Sequence, residues 1–180
     1  MAENFTPKTS KMTKFRSRTK IFERTVLTDS KFPLEVFVAG RNRLEDPGAK
    51  ALAKAIVHMK CLKEFAIAQN GIRKHGIKAL SIGVAGCSSL QILNLNDNTF
   101  TSFGAIPMAR ALSNLPDLEV IEFGDCLIRN RGCEALTTVI EENKFRHLRR
   151  VNVYRVFFRV SDLLGNVGFR VKNENFGSKR

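Results

Sequence analysis

The chain has 180 residues, four cysteines and a formal net charge of +13. That length suits one domain or a stack of roughly five to six short repeats, and no uninterrupted apolar run approaches the ~20 residues of a membrane span. The charge is uneven: residues 1–31 carry +5, residues 149–180 carry +6, and residues 32–148 between them only +2. Basic ends attract acidic surfaces and, at most non-specifically, nucleic acid; solvated tails are the plainer reading. Cys61, Cys87, Cys126 and Cys133 form no CxxC pair, and His58, His75 and His147 are scattered. A reduced cytosolic setting fits this usage and a zinc site does not, so neither metal nor cofactor is expected.

Residues 1–31 show no repeat frame and no apolar h-region, and they predict a basic, disordered lead with nothing to suggest secretion. A frame then begins. Leu34, Phe37, Ala39, Asn42 and Leu44 stand at positions 1, 4, 6, 9 and 11 of L-x-x-L-x-L-x-x-N-x-L, the leucine-rich-repeat pattern. It returns as Leu62, Phe65, Ile67, Asn70, Ile72, then as Leu90, Leu93, Leu95, Asn98, Phe100, then as Leu118, Ile121, Phe123, Cys126, Ile128. From Asn42 to Asn70 to Asn98 to Cys126 the step is 28 residues each time. Gly48, Gly76, Gly104 and Gly132 keep the same step, followed four and eight residues on by apolar side chains that would line one side of a helix.

Each unit therefore predicts a short strand, a turn and a helix. Strands fall near 36–39, 64–67, 92–95 and 120–123; helices cover 47–59, 75–86, 103–114 and 131–142. The fold class is α/β, a ribonuclease-inhibitor-like horseshoe solenoid of about four complete 28-residue repeats with irregular ends. The repeat domain spans 32–153. A fifth unit opens at Leu148 with Val151 and Val153 in frame, then fails at Val156, and 154–180 reads as an irregular basic segment. Position 9 turns the chain inward, where an asparagine amide can both donate to and accept from peptide groups that water does not reach.

No phosphate loop and no Ser/His/Asp or Cys/His set is visible, and the paired acids Glu45-Asp46 and Glu141-Glu142 read as helix-end capping or solvated groups. The expectation is a regulator rather than an enzyme with an active site of its own. The variable residues lie at positions 7, 8 and 10 after each strand. Arg41, Arg43, Gln69, Asn96, Asp97 and Asp125 are the candidate partner-binding residues. Arg41 and Arg43 flank Asn42, and a guanidinium fork suits a carboxylate across an interface equally as well as one on its own edge, such as Glu45 or Asp97, or the amide of Gln69.

The words of the repeats are more specific than their frame. Phe37-Val-Ala-Gly-Arg-Asn-Arg-Leu-Glu45, Gln69-Asn-Gly-Ile72, Asn94-Leu-Asn-Asp-Asn-Thr-Phe-Thr101 and Phe123-Gly-Asp-Cys-Leu127 closely resemble, in order and spacing, successive repeats of the Ran GTPase-activating protein family. The resemblance covers about residues 32–153. It implies the GTP form of the small GTPase Ran as partner and a part in the nucleocytoplasmic transport cycle, in the cytoplasm and at the nuclear envelope. It also implies an activator that helps order the GTPase's own glutamine and attacking water without an arginine finger. The family's key asparagine lies one repeat before the GRNRLE unit and has no counterpart within 1–31. The expectation is therefore a partial activator with reduced or no activity, the alternative being a non-catalytic protein-binding module.

Overall fold

The computed structural model describes residues 34–143 and 145–153. Five three-residue strands alternate with four helices: β1 (Val36–Val38), α1 (Glu45–Ile56), β2 (Glu64–Ala66), α2 (Lys74–Val84), β3 (Ile92–Asn94), α3 (Thr101–Leu112), β4 (Val120–Glu122), α4 (Arg129–Asn143) and β5 (Arg150–Asn152). The strands form one parallel sheet in the order β1-β2-β3-β4-β5. Phe37 pairs with Phe65, Phe65 with Leu93 and Leu93 with Ile121, so the sheet register is the sequence period itself. Each helix packs on the next, and one continuous core lies between the helix layer and the sheet. This is the expected α/β solenoid. The expectations for residues 1–31 and 154–180 lie outside the described residues, except that 145–153 continue the repeat as far as β5.

Phe65, Phe100 and Phe123 are the largest fully buried side chains, all at frame positions. The Phe100 and Phe123 rings stand 5.0 Å apart at 49°, a tilted contact that joins the third unit to the fourth. The repeated glycines let neighbouring helices approach. A Cβ on Gly76 would come within 2.6 Å of Ile72 Cγ2 and 2.9 Å of Ala49 Cβ, too close for any side chain.

The first three helices stop two or three residues short of the expected ends. Met59, Cys87 and Leu115, eleven residues after Gly48, Gly76 and Gly104, are buried, yet they sit in a turn. The Met59, Cys87 and Leu115 N–H groups each donate to the carbonyl three residues back, at Ile56, Val84 and Leu112. Apolar periodicity thus runs past the helix, because the tightened turn still aims its side chain at the core. β5 adds a fifth strand to the four expected. It pairs with β4 through Ile121 and Val151. Val151 and Val153 are only half-buried at this end of the described sheet.

Candidate functional site, the turns after the strands

Behind the strands the position-9 asparagines form a ladder. The Asn42 N–H donates to Asn70 Oδ1 at 2.8 Å, and Asn98 Oδ1 accepts the N–H groups of Asn70 at 3.3 Å and Ile72 at 3.1 Å. In the other direction Asn70 Nδ2 donates to the carbonyls of Ala39 (2.9 Å) and Ile67 (2.8 Å), and Asn98 Nδ2 to those of Ile67 (3.2 Å) and Leu95 (3.0 Å). Asn70 and Asn98 are buried, so each amide replaces the water that two turns would otherwise need. Cys126 keeps half of this role. Its thiol donates to the carbonyls of Leu95 and Gly124 at 3.2 and 3.4 Å. Burial pushes its pKa up to about 12, with the Asp97 and Asp125 charges adding to the rise, so the group keeps the proton it donates.

One residue earlier, the side chains turn outward, exposed in the first three units and half-buried in the fourth. Arg41, Gln69, Asp97 and Asp125 occupy position 8 of successive units, with φ of 60, 54, 56 and 56°. Left-handed backbone is uncommon outside glycine, and its recurrence here shows that one turn geometry is imposed on four sequences. The backbone secures it: the N–H groups of Arg41, Gln69 and Asp97 donate to the carbonyls of Ala68, Asn96 and Gly124, each at 2.9 Å. The four residues thus form a column along one edge that runs from a cation through an amide to two carboxylates. Arg41 Nε donates to Gln69 Oε1, which settles the own-edge partner of that arginine. Both side chains remain exposed.

The other candidates distribute around this column. Arg43 is exposed at position 10, also left-handed at φ 51°. Asn96 is half-buried at position 7, and its Oδ1 accepts the Gly124 N–H at 2.6 Å, so it spends its oxygen within the stack. Leu127, outside the candidate set, shares the position-10 column with Arg43 and is 57% exposed, an apolar group on an otherwise polar edge. Its only sequence signal is a leucine at a position held by arginine, glycine and threonine in the other units.

Asp46 acts as a cap, though for a helix other than its own. Its Oδ1 accepts the N–H groups of Arg73 (2.7 Å) and Gly76 (3.0 Å), at the start of α2 one repeat on. Arg73 itself makes no side-chain cap bond. A carboxylate at that terminus meets both the orphan donors and the positive end of the helix dipole.

At the far side of the sheet, Arg150 Nε pairs with Glu122 Oε1 at 3.0 Å and Asn152 Nδ2 donates to Glu122 Oε2 at 2.7 Å. Arg149 likewise pairs with Glu119. Among the described residues no group of three or more His, Cys, Asp or Glu is placed to hold a metal ion, and no helix is long and apolar enough to cross a membrane.

A leucine-rich-repeat family model matches residues 86–109, from the end of the second unit through most of the third. Over 118 residues, 64% of its length, the chain is 39% identical to Ran GTPase-activating protein 1 of Saccharomyces cerevisiae, of which that stretch is 29%. Over 123 residues, 68% of its length, it is 37% identical to Ran GTPase-activating protein 2 of Caenorhabditis elegans, covering 13% of that protein. The chain spans less than a third of either relative. Among solved structures, the tropomodulin C-terminal domain of C. elegans superposes with a TM-score of 0.62 over 78% of this chain and 86% of that one. At 17% identity that likeness speaks for the fold alone.

The chain is a leucine-rich-repeat protein similar to Ran GTPase-activating proteins, as its repeat words imply. The expectation that it is no enzyme is corrected. The relatives are named as GTPase activators, and activation of a GTPase is enzymatic work. The reasoning failed for a physical reason. A protein that accelerates hydrolysis on a partner's nucleotide can work by positioning and electrostatics, and it has no need of a phosphate loop or nucleophile set.

Proposed function

We propose that this chain is a partial GTPase activator for Ran, of reduced activity, engaging its GTP form through the position-8 edge and serving the nucleocytoplasmic transport cycle from the cytoplasm. One observation carries the reading. Arg41, Gln69, Asp97 and Asp125 are held in a single backbone geometry along one edge, with charge graded from cationic to anionic. Such a column meets a partner that presents carboxylates at one end and cations at the other, and it fixes the register of docking as well as its strength. The similarity to Ran GTPase-activating proteins supports Ran as that partner.

In this reading the pair Arg41–Gln69 is preorganised for a carboxylate, with Arg43 beside it, while Asp97 and Asp125 receive lysine or arginine. Asn96 serves the edge indirectly, by holding the third turn against the fourth. Docking then restricts the GTPase's own catalytic glutamine and water, which is where the acceleration arises.

The test is single-turnover hydrolysis by GTP-loaded Ran, with binding followed separately. The full chain should speed hydrolysis above the intrinsic rate. Arg41→Ala and Asp97→Ala should each lower the second-order rate about tenfold, the loss of one interfacial charge pair. Binding without any acceleration would favour the non-catalytic module. Neither binding nor acceleration would overturn the proposal.

A further inference from the structure

The helix layer carries a second surface that the position-8 edge does not use. Along α2, Lys74, Lys78 and Ile82 follow one another at four-residue steps, and all three are exposed. Ile82 is 71% exposed. Phe103, in the first turn of α3, is 46% exposed and lies against the same stripe, with the Lys74 and Lys78 amines 5.6 and 5.3 Å from its ring centroid. The His75 ring meets it edge-on at 5.2 Å. An ordinary leucine-rich repeat has no use for isoleucine and phenylalanine here, since both lie outside the buried core.

The surroundings state the charge of what would cover them. The 28-residue register puts Lys54 and Arg110 on either side of Ile82, in α1 and α3, and both are exposed. Neither α2 nor α3 contains a carboxylate. The two acids of α1 stand in its first turn, and the Asp46 carboxylate already accepts two N–H groups of the next repeat. Two large apolar side chains are therefore framed by cations with little acid nearby to neutralise them.

We infer that the outer face of α2 and α3 is a docking surface for an acidic protein segment carrying large apolar side chains, which seat on Ile82 and Phe103 while its carboxylates meet Lys54, Lys74, Lys78 and Arg110. The two lysines are held over the Phe103 ring before any partner arrives, so less side-chain freedom is lost on binding. A nucleic acid fits less well. Its phosphates would suit the cations, but Ile82 offers no stacking platform and Phe103 only one. The surface is independent of Ran and of the activator reading.

The test uses the full chain and three labelled probes: a synthetic glutamate–leucine peptide, polyglutamate of the same length and oligothymidylate. Fluorescence anisotropy reads binding, and far-UV circular dichroism checks folding of each variant. The glutamate–leucine peptide should bind most tightly, and Ile82→Ser with Phe103→Ser should weaken it about tenfold. The same pair should leave polyglutamate almost unchanged, because that probe also reads the basic ends of the chain. Lys74→Gln with Lys78→Gln should weaken the glutamate–leucine peptide and flatten its salt dependence. No binding of that peptide, or equal binding by the parent and both variants, overturns the inference. Tighter binding of oligothymidylate that is lost with Phe103→Ser overturns it in favour of a nucleic acid.

Discussion

Positions 8 and 9 of the repeat are neighbours on one backbone, and they obey opposite rules. At position 9, Asn70 and Asn98 are buried and bond to the turns on both sides, and Cys126 survives there because its buried thiol still donates. At position 8 the left-handed backbone is just as constant, yet the side chains run Arg, Gln, Asp, Asp. A buried position must satisfy peptide groups, so chemistry narrows the choice to donors and acceptors of the right reach. At position 8 the side chains of Arg41, Gln69 and Asp97 are exposed and satisfy no buried peptide group, so their identity is left for a partner to select. The contrast separates what holds the stack together from what the stack can recognise.

Replacing Asn98 should break the ladder most severely. Asn98→Leu keeps the volume but takes the acceptor from the Asn70 and Ile72 N–H groups, while the Ile67 and Leu95 carbonyls keep only their donors from Asn70 and Cys126. The cost should be about 2 kcal/mol or more, read from the shift of the denaturation midpoint in urea at unchanged slope. A loss under about 0.5 kcal/mol would remove Asn98 from the ladder and erase the difference between positions 8 and 9.

A smaller effect should come from pH at the ladder's odd member. The Cys126 thiol has a folded pKa of about 12 against an ordinary 9.0. Its contribution is complete below pH 9 and is lost as pH rises toward 12, because the unfolded chain releases the proton first. The slope from this group reaches about 1.4 kcal/mol per pH unit above pH 9. Cys87 and Cys133, each pushed up to about 11 by burial, act in the same direction. Urea midpoints of the parent and Cys126→Ala, followed from pH 8 to pH 10, should diverge least at the alkaline end. Parallel curves would show that Cys126 does not resist ionisation.

The smallest stability effects belong to position 8 and to the helix surface. Asp97→Ala, Arg41→Ala and Arg110→Ala should each change stability by under about 0.5 kcal/mol, since exposed charges contribute little. For Asp97 and Arg41 the same substitutions should weaken Ran binding while the melting curve stays in place. A melting shift above about 1 kcal/mol at Arg41 would show that its bond to Gln69 braces the first two turns, and position 8 would then belong with position 9.

The sequence by itself determined the period, the strands, the ladder and the core. Each of these depends on contacts between like positions of successive repeats or on alternation within a strand, so spacing encodes it. Asn70, Asn98 and Cys126 were legible because burial leaves few residue types able to serve there, and Asn42, half-buried, through the shared period. The helix ends were less legible, since Met59, Cys87 and Leu115 face the core from a turn as readily as from a helix. Only the tertiary structure decided that Asp46 caps the helix of the following repeat, that Arg41 spends its Nε on Gln69, and that Phe103 lies under two lysines of its neighbour. These contacts cross between repeats through exposed, long or rotatable side chains. Their partners are set by how closely the glycine-bearing helices and left-handed turns approach in space, and the one-dimensional period does not carry that distance.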